Sequence, residues 1–250
     1  MTATSPFDEI VELACRAPSV HNSQPWRWRI SESRVDLFAD YSRQLVHADP
    51  DRRDLVISCG AALHHLHVAA AGLGWSTRVR RLPVASDERH IASIELSPTR
   101  TSRESSELLE GLRQRRTDRR RSTSWPVPSD RLKSLASTGT AWGAQVLPVE
   151  AEATKARLER LTDRARRIQE RSAGYVAELA SWTHLTDAEG VPPSHVPAHT
   201  AAEAADVPYN RFPSGDLPDP VLEREPSQDA MLLVCTSSDD AISRVRAGGR

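Results

Sequence analysis

The segment from Arg53 to Ala71 constrains the fold of this chain more than any other stretch. Val56, Ala62, Leu63, Leu66 and Ala70 recur at helical spacing and supply much of one apolar surface, which predicts a helix. Gly72 and Gly74 follow and predict its end. Cys59, Gly60, Ala61 and Ala62 are all small, so the sequence predicts close packing against another helix, whose distance is set by the side chains at the contact. No stretch is expected to approach the ~20 apolar residues of a membrane span. The helix is therefore expected inside a folded core.

The flanking sequence supplies the rest of a first half, 1–101. Ser5 predicts an N-cap, with Pro6 at the first helical position and Asp8 completing a capping box. Phe7, Ile10, Val11 and Ala14 keep helical spacing until Pro18 stops it. Trp26, Trp28 and Ile30 alternate with Arg27 and Arg29, the period of a half-buried strand. Ser31-Glu32-Ser33 can turn the chain into a second strand at Val35 and Leu37, alternating with Asp36 and Phe38. His90–Leu96 predicts a further strand, giving the order helix, hairpin, helix, strand.

A second half, 102–250, opens with a helix marked by Leu108, Leu109 and Leu112. Ser129 caps a short helix, and Gln145–Val149 predicts a strand weakened by Pro148. A long polar helix is expected from about Ala151, with Leu158, Leu161, Ala165 and Ile168 on one stripe, and a broken or bent continuation through Tyr175, Leu179 and Trp182. Met231–Thr236 predicts a buried strand, after which Asp239 or Asp240 can cap a new helix. That helix has only begun where the chain stops, so the sequence suggests a C-terminally shortened form of a longer protein. Between these elements, about 187–226 holds eight of the 17 prolines and no hydrophobic period. A connection this long is a lid or a disordered segment, and Tyr209, Phe212 and Val221, as anchors, favour the lid.

Composition narrows the functions open to such a chain. The formal net charge of −1 gives no global field to recruit nucleic acid or an anionic membrane, so any basic site is local. Three scattered cysteines, Cys15, Cys59 and Cys235, form no disulfide framework and fit a reducing compartment. The N-terminus has neither a basic start nor an apolar run, so the expected location is cytoplasmic.

Two stretches carry chemistry. Six arginines fall between Arg113 and Arg121, in a chain that is otherwise close to neutral. Arginine binds phosphate through paired hydrogen bonds and stays charged, and Thr117 adds a hydroxyl. On the residues alone the run is a phosphate site, a solvated basic face or a nucleic-acid patch. The last is disfavoured by the net charge and by the lack of interleaved aromatics. The second stretch runs from Arg16 to Trp26, stiffened by Pro18 and Pro25. It offers short polar side chains and irregular backbone, either to a polar ring edge or only to a helix-to-strand connection. His64, His65 and His67 lack further ligands at zinc spacing and are expected to be structural or surface histidines. There is no nucleophile elbow and no P-loop.

Together the two stretches resemble a family. Ala17-Pro18-Ser19-x-x-Asn22-x-Gln24-Pro25-Trp26 is similar to the A-P-S-x-x-N-x-Q-P-W segment of FMN-dependent nitroreductases, and Arg115-Arg116-Thr117-Asp118-Arg119 to their R-R-S-x-R segment. Their reversed order, with Pro126-Val127-Pro128 and the proline-rich insertion, resembles the Acg-type nitroreductase-like proteins of actinobacteria. The resemblance implies an α+β fold, a mostly antiparallel sheet flanked by helices, in two fused half-related domains: a monomer mimicking a dimer. It implies FMN between the halves, with NAD(P)H as hydride donor and a small-molecule nitro- or quinone-type acceptor as partner. By position, Arg115, Arg116 and Thr117 would bind the phosphate and ribityl chain, and Arg119 the pyrimidine edge. Pro18, Ser19, Asn22 and Gln24 would reach the ring. No metal and no protein nucleophile are implied, because the cofactor carries the chemistry. A lid over the flavin would instead give a non-catalytic flavin-binding or storage protein.

Overall fold

The computed structural model describes residues 7–120, 126–140, 144–183, 189–198, 212, 215–218 and 230–248. The chain divides into two compact units, Met1–Arg116 with Thr236–Arg250, and Thr117–Cys235. Helices combine with antiparallel sheet, so the chain is of the α+β class.

In the first unit the order is α1 (Asp8–Ala14), β1 (Trp26–Ile30), β2 (Arg34–Ala39), α2 (Arg53–Gly72), β3 (Trp75–Arg81), β4 (His90–Pro98) and α3 (Arg103–Gln114), with α7 (Ala241–Gly248) returning to it. The sheet order is β1-β2-β4-β3, antiparallel throughout. The hairpin forms as the alternation predicts, with Ile30 opposite Val35 and Trp26 opposite Ala39. Val35 and Leu37 of β2 and Ile91 and Ile94 of β4 are fully buried, in one core with Ile10 of α1 and Leu66 of α2.

α2 is longer and more apolar than the sequence reading allowed for. Among the described residues it is the one helix long and apolar enough to cross a membrane, contrary to the expectation that no stretch comes close. Its apolar character has a local cause, since twelve of its residues, Leu55 to Ala70, are buried in this unit. Its N-terminus is held by buried Asp49, whose carboxylate accepts from the Leu55 amide at 2.8 Å. The helix ends at Gly72, as expected, and a Cβ there would lie 2.6 Å from the Leu109 side chain of α3. Gly74, at φ +84°, makes the turn out.

The small-residue face of α2 meets α7. A Cβ on Gly60 would overlap the Val245 carbonyl oxygen, and one on Gly248 would overlap the Ile57 carbonyl oxygen. The crossing is reciprocal, because each glycine rests on the carbonyl three residues before the other. α7 is capped as expected at its start, with Asp240 accepting from the Ser243 amide at 2.7 Å.

Other expectations change. α1 begins after Phe7, which occupies the cap position without a side-chain cap bond, and Asp8 is the first helical residue; Ser5 and Pro6 lie outside the described residues. The helix ends at Ala14, well before Pro18. β3 was not anticipated, because its inward positions include Thr77 and Arg81 and its alternation is faint. α3 is capped by a reciprocal Ser102–Ser105 box and packs on α2 through Leu109.

The second unit contains α4 (Ser129–Thr140), β5 (Gln145–Pro148), α5 (Glu152–Glu170), α6 (Ala173–Thr183) and β6 (Leu232–Cys235), with β5 and β6 antiparallel. Gly139 of α4 admits Val146 of β5, which a Cβ would meet at 2.7 Å. The expected α5 stripe is not buried: Leu161 and Ile168 are 53% and 60% exposed. Ion pairs from Asp163 to Arg166 and Arg167, and from Arg166 to Glu170, lie along the helix. β6 is half-buried rather than buried, with Val234 exposed.

Candidate functional site

The turn between α1 and β1 is bent in an uncommon way. His21, Asn22 and Gln24 have φ of 52°, 52° and 47°, a left-handed backbone that side chains other than glycine seldom adopt. Such a conformation persists only when surrounding bonds over-determine it. The Ser19 hydroxyl accepts from the Gln24 amide at 2.9 Å, closing the loop on itself. The Ser58 hydroxyl of α2 accepts from the Val20 amide, the Cys59 thiol donates to the Pro25 carbonyl at 3.3 Å, and Arg43 donates to the Ser23 carbonyl at 2.8 Å. Burial and the nearby Asp40 carboxylate push the Cys59 thiol up, so it packs here as an inert neutral group. Pro18 is exposed, and Ser19, Asn22 and Gln24 are half-buried.

The end of α3 is fastened to this turn. Arg115 Nη2 donates to the Arg16 carbonyl at 2.8 Å, and Arg16 Nη2 donates to the Arg113 carbonyl at 2.7 Å. The structure thus brings the head of the arginine motif against the segment that leads into Pro18 and Ser19. Arg116 is exposed and folds back on the Arg113 and Arg115 carbonyls at 3.1 and 2.8 Å. Arg113 is drawn off to Glu9 at 3.2 Å. Burial, then Arg16, then Arg116 lower the pKa of Arg115, which is the mark of cations gathered at one place.

His65 of α2 registers the same field. Its Nδ1 lies 3.1 Å from the Ala61 carbonyl, while its Nε2 is buried and has no hydrogen-bond partner among the described residues. Burial, then Arg115 and Arg16, push its pKa down to about 4, against a partial lift from the Ala61 carbonyl. The imidazole is neutral at pH 7, with Nδ1 as donor and Nε2 as acceptor. A histidine depressed on folding resists protonation that the unfolded chain accepts, so stability is full above about 6.5 and falls as pH drops toward about 4. Thermal unfolding of His65→Gln at pH 7 and pH 4.5 should show a smaller acid loss than the wild type. An unchanged acid slope would remove His65 from this account. The tie of His65 to Arg115 and Arg16 has no signal in the sequence, because neither arginine is local to it in the chain.

In the second unit, Thr117 is exposed and Arg119 is half-buried. The Arg119 guanidinium lies over the Phe212 ring at 5.4 Å from its centroid, and burial lowers its pKa. Arg120 is taken up by Asp118 through both carboxylate oxygens, which holds Asp118 down at about 2. Arg121 lies outside the described residues. Phe212 belongs to the proline-rich segment, and so do two further anchors that the sequence did not mark. Val191 and Val196 are buried, the Val191 amide donates to the Trp182 carbonyl at 2.8 Å, and Pro197 bridges to Leu217. Tyr209 and Val221 lie outside the described residues.

No family model matches the chain. A Mycobacterium tuberculosis protein named “Putative NAD(P)H nitroreductase Rv3131” is 36% identical over 250 residues, covering 96% of this chain and 69% of the relative. “Putative NAD(P)H nitroreductase acg” of the same organism is 33% identical over 254 residues, covering 99% and 75%. “Uncharacterized protein Rv3127”, also from that organism, is 32% identical over 249 residues, covering 95% and 70%.

Proposed function

The chain belongs to the Acg-type nitroreductase-like family, and from that premise we propose that it is an FMN-binding oxidoreductase passing hydride from NAD(P)H to a nitro- or quinone-type acceptor. The observation that carries this reading is the Arg115-to-Arg16 bond, which joins the first residue of the arginine motif to the residue before the A-P-S turn inside one compact unit. The donor set suits a phosphate, because Arg115 and Arg116 are permanent cations rich in N–H donors, brought to the turn by bonds to backbone carbonyls. Thr117 and Arg119 follow them in the chain, as a hydroxyl donor for the ribityl region and a cation for the pyrimidine edge. Pro18, Ser19, Asn22 and Gln24 would present the rigid turn to the ring, with the Ser19 oxygen held in place by the Gln24 amide. Bound flavin would supply the hydride transfer, and the side chains would bind, orient and exclude water. Two related halves, 1–101 and 102–250, draw support from the reciprocal Gly60–Gly248 crossing, since two-fold symmetric contacts repeat each interaction in both directions.

One contact favours a second reading. Phe212, from the proline-rich segment, stacks on Arg119, as a covering segment would. The flavin would then be held with little access for nicotinamide. Purified protein reconstituted with FMN is expected to be yellow and to oxidise NAD(P)H with menadione as acceptor. Phe212→Ala should leave the flavin bound. If that variant turns over about tenfold faster, removing roughly 1.4 kcal/mol of barrier, the covering reading gains. A colourless protein that takes up no FMN would sink both readings.

A further inference from the structure

Arg16 is the residue before the A-P-S motif, and neither the motif nor its resemblance gives it a part. Its guanidinium donates to the Arg113 carbonyl while that of Arg115 donates to the Arg16 carbonyl, so each side chain is fastened to the backbone stretch that carries the other. The Arg113 carbonyl positions the Arg16 guanidinium without offsetting its charge. Among the described residues the hydrogen bonding of the exposed Arg16 side chain stops at the Arg113 carbonyl, which uses one of five N–H donors. The positive field is felt by both neighbours: Arg16 is the first charge acting on Arg115, and it holds down His65. Two cations near enough to act on each other favour an oxyanion that accepts from both.

We infer that Arg16 is a second guanidinium for the flavin phosphate and sets the preference for FMN over unphosphorylated riboflavin; this rests on the flavin reading above. Arg16 and Arg115 then present donors from two segments almost a hundred residues apart, and the carbonyl bonds hold them so before the ligand arrives. Lysine at position 16 keeps the charge but loses the planar fork.

The test titrates full-length wild type, Arg16→Gln and Arg16→Lys with FMN and with riboflavin, following flavin fluorescence. Arg16→Gln should weaken FMN roughly ten- to hundredfold and leave riboflavin unchanged, with Arg16→Lys between. Equal losses for both flavins would mean that Arg16 only braces the turn, and that overturns the inference, as does an unchanged FMN affinity. If the wild type binds neither flavin, the flavin reading falls separately. Inorganic phosphate is then the probe: thermal protection of wild type that Arg16→Gln loses keeps Arg16 as an oxyanion ligand. Equal protection of both, or none in either, overturns it.

Discussion

Gly60→Ala is expected to destabilise the chain by about 3 kcal/mol, the upper range for overpacking. Helix propensity alone points the other way, since alanine is favoured over glycine by roughly 1 kcal/mol inside a helix. The steric term has to win because the obstructing atoms are backbone. A Cβ on Gly60 overlaps the Val245 carbonyl oxygen and reaches the Gly248 Cα at 3.1 Å. No rotamer change clears a carbonyl of the facing helix, so α2 and α7 must separate and expose Val245, which is 2% accessible. Gly111 of α3 supplies the control, because a Cβ there meets nothing within 4 Å. Gly111→Ala should gain roughly 0.5–1 kcal/mol. Urea midpoints of the two variants should therefore move in opposite directions. Gly60→Ala at or above the wild-type midpoint would mean that the two helices do not cross so closely.

That crossing was partly legible. The small run from Cys59 to Ala62 announced a close helix partner, and Asp240 announced the start of α7, but nothing in the sequence linked one to the other. Local signals did well where one face is plainly apolar, as in the hairpin and α2. They failed on β3, whose inward side mixes Trp75 and Val79 with Thr77 and Arg81. They placed the helix end at Gly72 and Gly74, but not the room that the missing Cβ of Gly72 makes for Leu109. The α5 stripe shows the converse, since an apolar period states what could be buried and not what is. For the candidate site, residue types and the two motifs were readable. The crossed bonds between Arg16, Arg113 and Arg115 were not, because they span 97 and 99 residues. Nor were the left-handed conformations of His21, Asn22 and Gln24, which follow from the pins supplied by α2 and Arg43.

Arg115→Ala is expected to weaken FMN binding about 100-fold, since charge-assisted hydrogen bonds contribute roughly 1.5–3 kcal/mol each and a guanidinium can give more than one. The substitution also frees the Arg16 carbonyl, so a loss of affinity alone would not separate ligand binding from loosening of the turn. His65 separates them. Arg115 is the largest charged contributor to its depression after burial, ahead of Arg16. In the flavin-free variant its imidazole should titrate above about 4 while burial still holds it below 6.5, as NMR of the ring protons can follow. Arg113→Ala is the counterpart. Its side chain pairs with Glu9, and the carbonyl that receives Arg16 remains after truncation, so FMN affinity should stay within about twofold. If Arg113→Ala and Arg115→Ala lose FMN equally, the run acts as a diffuse basic face. If only Arg115→Ala loses it, and His65 moves as stated, the cation that touches the turn is the one that holds the phosphate.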